Sequence, residues 1–510
     1  MKRIILLFVF LTINCFSQTT TRLFPIPPSS PTYSMGYSAP IVQTPDNGYL
    51  LTYSYSYPNW DGFPGYTTSI IKTDSNFTPL WSKRTGGGEG NGRKTIVLSD
   101  GSSLIFFDSG TILKLGADGQ TLFSIGNFTT YPDRLNIADV ELIGTTIKVV
   151  GTKDIYSFGQ VSSSIQVMID FDTNGTMLQT YVLNDGGTSA WTRPTNICKD
   201  NSGNYYITGY SYADGNYICK FNSSNTVVWC RRFSGNNFSF NDIIALSSGD
   251  ILLAGTMSSV FLCRLSSATG ASISAKMGDA YVASINNVSQ LSNGDLVATG
   301  WLREDDTLPN RIFSMEMDNN EVFSWMKLYN YGFGISAPFA KNDNNWYYAA
   351  FHNNYVDNNY PILFNTENTG VTSCPYDNIT LNFNDMPLNS SSINLSITPN
   401  SWLFGTPSTS TNFYPIESQS YQDECLSLAV NEIDDKNDLV VYPNPSKGTI
   451  YLKSDAVIKT VEVHNTLGQK INEYNIDSLE SSISIQNQGI YFLTIKTENG
   501  VNKTKIIISN

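Results

Sequence analysis

Apolar positions in the body of the chain fall into short runs set between polar turns rich in Gly, Asn, Asp and Ser. "PDNGYLLTYS" (Pro45 to Ser54), "SDGSSLIFFDSG" (Ser99 to Gly110) and "NSGNYYITGYS" (Asn201 to Ser211) share one layout. "SSGDILLAGTM" (Ser247 to Met257) and "SNGDLVATGWL" (Ser292 to Leu302) repeat it, and "NDNNWYYAAFH" (Asn342 to His352) is a degenerate copy. "ADVELIGTTIKVVGTKD" (Ala138 to Asp154) fits the same element without its polar turn. A second element follows each copy as strand, polar turn, strand: "SIIKTDSNFTPLWSKR", "ILKLGADGQTLFSIG", "QVMIDFDTNGTMLQTYV", "YICKFNSSNTVVWCRRF", "FLCRLSSATGASISAKM" and "IFSMEMDNNEVFSWMKLY". Asn-Gly and Asp-Gly at such centres tolerate positive φ and favour tight hairpins. Trp81, Trp229 and Trp325 occupy matching places after the turn.

Seven units at a spacing of about 45 to 55 residues, each with material for about four short strands, define a repeat architecture. One such meander cannot bury both its faces, whereas radial packing of several buries them and shields the edges. The pattern predicts an all-β fold with a seven-bladed β-propeller over residues 24–372. The two chain ends close one blade, with the strand from Ser34 to Val42 as the closing piece. A set of β-sandwiches or a right-handed β-helix is the alternative, though a β-helix uses shorter and more regular rungs.

From Cys374 the pattern changes. "NITLNF" and "SINLSITP" alternate as strands do, and loops rich in Ser, Thr, Asn and Pro run on to Tyr421. Residues 373–428 are expected to form a small β-module. "AVNEIDDKND" (Ala429 to Asp438) has the acidic, polar character of a linker, assigned to 429–438. A last domain follows over 439–510, a small β-sandwich of about seven strands.

At the other end, Lys2 and Arg3 precede the apolar run Ile4 to Ile13, and Phe16-Ser17-Gln18 offers a small residue before a cut. The run is too short to span a bilayer, so residues 1–17 read as a secretory signal peptide. No later stretch has the length and apolarity of a transmembrane segment. The 510-residue chain carries a formal net charge of −13, which disfavours binding to nucleic acid. Aromatics make up 13% of it, consistent with strands. Apart from Cys15, the cysteines are Cys198, Cys219, Cys230, Cys263, Cys374 and Cys425, with no CxxC pair. Cys374 and Cys425 bracket the small module and are paired as a disulfide, against the alternative of two isolated thiols. Cys219 and Cys230 sit opposite one another across a hairpin and are read as buried thiols.

The second hairpin of the repeat is similar to "IKLDxxGxxxWxK" in secreted propeller proteins of the Bacteroidota. Ile71, Lys72, Thr73, Asp74, Trp81 and Lys83 match it. The last domain resembles the type A C-terminal sorting domain of the type IX secretion system. "YPNPSKGTIYL" (Tyr442 to Leu452), "VEVHNTLGQKI" (Val461 to Ile471) and "GIYFLTIKTENGVNKTKIIIS" (Gly489 to Ser509) match its three motifs in order. That resemblance implies export through the periplasm and outer membrane by the type IX machinery, with the mature protein at the cell surface or secreted.

Candidate chemistry is sparse. Only His352 and His464 are available, which limits triad chemistry, and no nucleophile-elbow motif accompanies them. Glu304, Asp305 and Asp306 could serve as paired carboxylates, or form a solvated charge run. "DFDTNG" (Asp170 to Gly175) opens like a calcium loop, but Tyr181 stands where the twelfth-position Glu would be. No metal or cofactor is expected. "YSYSYPNWDGFPGY" (Tyr53 to Tyr66) reads as an inserted aromatic loop of the first blade. Tyr57, Trp60, Phe63 and Tyr66 are its candidate binders of a surface glycan or protein, or else rings packed between blades. Three roles follow: non-enzymatic binding, polysaccharide hydrolysis or elimination, or a structural part of the surface.

Overall fold

The computed structural model describes residues 21–23, 35–58, 64–85, 90–126, 133–157, 160–185, 192–233, 238–305, 310–329, 340–342, 345–354, 358–366, 376–400, 404, 408–409, 413–415, 422–424, 439–466, 468–498 and 500–509. The expected signal peptide, linker and Cys374–Cys425 pair lie outside them. The chain divides into two compact units, 1–426 and 427–510.

Among the described residues the first unit is all-β, with seven antiparallel sheets of five strands each. Six sheets take four consecutive strands: blade 1 over 35–85, blade 2 over 92–126, blade 3 over 134–184, blade 4 over 192–233, blade 5 over 239–278 and blade 6 over 282–329. Blade 7 takes three strands from 340–366 and its fourth, Thr21–Leu23, from the N-terminus. The chain ends therefore do close a blade, but Met35–Gln43, expected as the closing piece, is the first strand of blade 1. First strands of neighbouring blades contact one another and form the inner ring; fourth strands lie at the rim.

The repeat motif is explained by contacts between successive blades. In each third–fourth strand turn one residue is left-handed: Phe77, Gly119, Gly175, Asn225, Gly270 and Glu321. Against Gly119, Gly175, Gly270 and Glu321 lies the third residue of the preceding blade's fourth strand. A Cβ on Gly119 would come within 2.7 Å of the Trp81 ring, on Gly175 within 2.6 Å of Phe123, and on Gly270 within 2.6 Å of Trp229. Where blade 5 carries Ser274 instead of a large ring, blade 6 carries Glu321, and Ser274 Oγ donates to Glu321 Oε2 at 2.7 Å. Where blade 3 carries Gln179, blade 4 carries Asn225, which donates to Tyr181 Oη at 2.8 Å. Ring and glycine, or short chain and long chain, fill the same volume, as close packing requires. Basic residues of the third strands add polar ties: Lys114 Nζ donates to Thr173 O and Lys220 Nζ to Ser267 O, both at 3.0 Å.

The segment after blade 7 differs from expectation. The described strands between 376 and 424 do not pair with one another as a small β-module would; each pairs with a blade at the rim. Tyr376–Ile379 pairs with blade 6, Phe383–Asp385 with blade 5, Ser390–Ser392 with blade 4 and Ser396–Pro399 with blade 3. Ser408–Thr409 then pairs with blade 2, Phe413–Pro415 with blade 1 and Gln422–Glu424 with blade 7. The belt visits the blades in reverse order and gives each a fifth strand, covering part of every outer edge. Its links supply apolar plugs. Leu381 joins the core between blades 5 and 6, Leu395 that between blades 3 and 4, and Phe404 that between blades 2 and 3. Leu388 packs against the core between blades 4 and 5. The rest of each outer edge, next to the turn, is twisted by a β-bulge. The register skips Leu80, Leu122, Leu178, Val228, Ile273 and Ser324, the second residue of each fourth strand.

Cys219 and Cys230 are directly opposite in the third and fourth strands of blade 4 and form a disulfide, with Cα atoms 4.1 Å apart. The expectation of two free thiols fails because this cross-strand pair brings the sulfurs within bonding reach. Cys198 and Cys263 are free and buried.

Among the described residues the second unit contains five strands, fewer than the sequence pattern indicates, because two of them are long. Thr449–His464 alternates buried and exposed along its length and pairs with Val440–Tyr442, Lys470–Ser484 and Gly489–Thr497. Its core comprises Ile450, Leu452, Ile458, Val461, Val463, Leu493, Ile495 and Ile506, among others.

Candidate functional site

Strand direction gives the propeller two unlike ends. Turns joining first to second and third to fourth strands share one end, the turn end. Hairpins joining second to third strands, and the connections between blades, share the other, the loop end.

At the turn end, the Asp-led turns are closed by their own side chains. Asp74 Oδ1 accepts the amides of Asn76 and Thr78, both at 2.8 Å, and Asp172 Oδ1 those of Asn174 and Thr176 at 2.9 and 2.7 Å. Asp318 repeats the arrangement with Asn320 and Val322. The calcium-like stretch is therefore a hairpin turn: Asp172 serves its own backbone, and Asp170 accepts from Lys148 Nζ at 2.8 Å. Among the described residues no group of three or more His, Cys, Asp or Glu is placed to hold a metal ion.

The loop end gathers the candidates. Tyr57 and Tyr66 are not in an inserted loop; they lie in an extended hairpin, Tyr49–Pro58 with Pro64–Thr73, where Tyr57 is opposite Gly65 and Tyr66 opposite Ser56. Trp60 and Phe63 fall outside the described residues, within the connection that this hairpin makes at the loop end. His352 is opposite Tyr360 in the corresponding hairpin of blade 7, at the same end. Glu304 follows the second strand of blade 6, again at this end. Blades 6, 7 and 1 are consecutive in the ring, so the topology brings these three hairpins into one sector. Sequence reading passed over two exposed tyrosines at this end. Tyr212, 72% exposed, sits in the second–third hairpin of blade 4; Tyr281, 52% exposed, leads into the first strand of blade 6. The Arg303 guanidinium stands 5.9 Å from the Tyr281 ring centroid. Each lies beside an apolar–polar boundary too short to stand out in a pattern of runs.

The carboxylate candidate is committed elsewhere. Arg311 Nη1 lies 3.1 Å from Glu304 Oε2, and Arg311 also pairs with Asp377 of the belt. The ion pair ties the blade 6 hairpin to the belt's first strand. His464 lies in the second unit, 3.9 Å from Glu462.

The inner ring holds a charged set that no motif announced. First strands carry a bulge, and the register resumes at Lys94, Asp139, Asn196, Asp242 and Asn287 in blades 2 to 6. Asp139 Oδ2 accepts the amide of Ile197 from blade 4 at 3.0 Å, and Asp242 Oδ2 that of Val288 from blade 6 at 2.8 Å. Lys94 Nζ lies 3.1 Å from Asp139 Oδ1. Desolvation would lower the Lys94 ammonium, but Asp139, Glu141 and Asp242 override it and hold the ammonium above the usual lysine range. Burial pushes the Asp242 carboxyl up to about 6 against the pull of the Val288 amide and Lys94. The set stitches neighbouring blades.

The first unit is a propeller with a belted rim, and the second bears three sorting motifs in order. Residues 440–509 match the family model described as "Secretion system C-terminal sorting domain". No curated protein sequence matches. Among solved structures, a protein of unknown function from Bacteroides caccae is similar at 13% identity and TM-score 0.38, over 61% of this chain and 93% of that one. YCF48 from Cyanidioschyzon merolae is similar at 11% identity and TM-score 0.42, over 68% and 98%. The last unit is a type IX sorting domain, and the protein is exported to the cell surface or secreted. Among the described residues no helix is long and apolar enough to cross a membrane.

Proposed function

We propose that this protein is a non-enzymatic binder of a surface glycan or protein, acting through the loop end of its propeller. The observation that carries the reading is the gathering of the Tyr57–Tyr66, Glu304 and His352–Tyr360 hairpins at one end of three consecutive blades. Tyr57, Trp60, Phe63 and Tyr66 are the proposed contact residues; rings of this type bury apolar area at small entropic cost. Glu304 of the acidic candidate is held by Arg311, which favours binding over acid–base chemistry. The type IX machinery is the partner of the sorting domain.

The test is a binding screen of the exported propeller on glycans and surface proteins, with Trp60→Ala beside it. The reading expects saturable binding that the variant weakens by about ten-fold or more, as for an aromatic hot spot. Undiminished binding by the variant would remove the assignment, and release of product from any polysaccharide would replace it with an enzymatic one.

A further inference from the structure

The loop end carries arginine and tyrosine in pairs, where first strands begin and second strands end. Arg134 opens the first strand of blade 3, Arg134–Ile143. Its guanidinium stands 5.4 Å from the ring centroid of Tyr156, next to last in the second strand, Thr146–Ser157. Arg193 is second in the first strand of blade 4, Thr192–Lys199. It is directly opposite Tyr210, next to last in the second strand, Tyr205–Ser211. Arg303 ends the second strand of blade 6, with the Tyr281 ring beside it at the start of the first. First strands form the inner ring, so these pairs stand around the propeller axis at the loop end.

These pairs are open to solvent and short of acid. Arg134 and Arg193 are exposed and, among the described residues, take part in no ion pair. The carboxylates beside them are committed elsewhere. Asp154, opposite Arg134, is only 5% exposed and accepts from Ser164 Oγ at 2.6 Å. Asp133 Oδ2 lies 3.6 Å from Lys153 Nζ, and Asp214 Oδ2 accepts from Ser211 Oγ at 2.9 Å. The turn end has the opposite character, with Asp74, Asp100, Asp172, Asp200 and Asp318 in its turns. A chain of formal net charge −13 therefore presents exposed cations among tyrosines at one end.

We infer that this arginine–tyrosine set binds an anionic polysaccharide, one whose sugars carry carboxylate or sulfate groups. A guanidinium fork donates two parallel N–H bonds to such a group. A tyrosine ring beside it covers the apolar face of a sugar, and its hydroxyl serves the sugar's own hydroxyls. A single small anion would need donors converging on one point, whereas Arg134, Arg193 and Arg303 stand on three blades. Charge and ring repeated from blade to blade suit a polymer that repeats both. Nucleic acid repeats them too, but its denser phosphates call for a longer basic track, and the acidic turns and net charge oppose it. The inference rests on the loop-end reading and names the ligand class for it. It uses residues other than Tyr57, Trp60, Phe63 and Tyr66, so the two can fail separately.

The test presents the exported protein with polygalacturonate, chondroitin sulfate and neutral dextran at low and high salt. Saturable binding of one or both charged polymers is expected, falling steeply at high salt, with dextran unbound. Binding of only one supports the site and identifies the anion as carboxylate or sulfate. The Arg134→Gln, Arg193→Gln double variant should bind about ten-fold or more weakly at an unchanged urea midpoint. The Arg134→Lys, Arg193→Lys variant should recover part of the loss, since it restores charge without the fork. Equal binding of dextran, or binding of the charged polymers that the glutamine variant leaves intact, would overturn the site. Equally tight binding of duplex DNA or polyglutamate would overturn the glycan class. A loss with Trp60→Ala but not with the arginine variants would overturn this site and leave the loop-end reading standing. A loss with the arginine variants but not with Trp60→Ala would support this site and remove Trp60 from the contact.

Discussion

Gly119→Ala probes the contact that underlies the repeat. Gly119 has φ of +80°, and an added Cβ would stand 2.7, 2.8 and 3.0 Å from Cδ2, Cε2 and Cε3 of Trp81. A non-glycine residue in the left-handed region costs about 1–2 kcal/mol. The indole must move, which strains a packed interface by about 1–3 kcal/mol. Its Nε1–H, donated to Ala117 O at 3.1 Å, loses a bond worth about 1 kcal/mol net. The substitution should therefore cost about 3–6 kcal/mol. In a Trp81→Ser background only the backbone cost of about 1–2 kcal/mol remains, so the two positions should couple by about 2–4 kcal/mol. All eight tryptophans precede residue 427, so tryptophan fluorescence during urea unfolding reports the propeller without the sorting domain. The remaining seven tryptophans keep the signal in the Trp81 variants. Additive costs, within about 0.5 kcal/mol, would refute the claim that ring and glycine fill one shared space between blades.

Three further outcomes follow from the same structure. Leu395→Ala, at a residue only 6% exposed between blades 3 and 4, should cost about 2–4 kcal/mol in urea unfolding and expose the belt to protease; an unchanged midpoint would show that the belt link is not part of the core. The Asp242 carboxyl, raised by burial to about 6, takes up a proton on folding between its unfolded value near 4 and its folded value. Its ionisation then costs stability as pH rises through that window, so Asp242→Asn should stabilise the propeller by about 1–3 kcal/mol at pH 7.5 and by almost nothing at pH 3.5; a pH-independent difference would contradict this. Glu321→Ala, which strands the Arg264 guanidinium 2.7 Å from the lost carboxylate, should cost about 3–5 kcal/mol, and a loss under 1 kcal/mol in the same urea assay would mean that the pair is not functionally buried.

Much of this fold was legible because the repeat is periodic in the right currency. Alternating runs and Asn-Gly or Asp-Gly turns marked the hairpins, and Trp81, Trp229 and Trp325 marked equivalent positions. What those residues touch was not legible, since Trp81 meets Gly119 in the next unit rather than a partner in its own. The closing strand was misplaced because Met35–Gln43 alternates well enough to serve at either edge, while Thr21–Leu23 is too short to give any pattern. In sequence the belt reads as a module because its strands of two to four residues look like an ordinary β-region. The clue lay in Leu381, Leu388, Leu395 and Phe404, single apolar residues recurring between polar stretches. A self-contained module would need clustered apolar faces; isolated ones suit a segment that plugs crevices in something else. At the candidate site, the sequence flagged aromatic richness at Tyr57 and Tyr66 without showing that they extend a hairpin. It gave no sign of the inner-ring set of Lys94, Asp139 and Asp242, whose meeting depends on bulges and blade closure.

Hydrogen exchange on the exported protein, with and without the extracellular polysaccharide and surface-protein fractions of its source bacterium, tests the binding role most directly. The loop-end reading predicts ligand-dependent protection in the hairpins around Tyr57–Tyr66 and His352–Tyr360, with none in the turns at Asp46–Gly48 or Asp74–Thr78. Protection confined to those turns or to the rim, or consumption of the polysaccharide during the incubation, would contradict it.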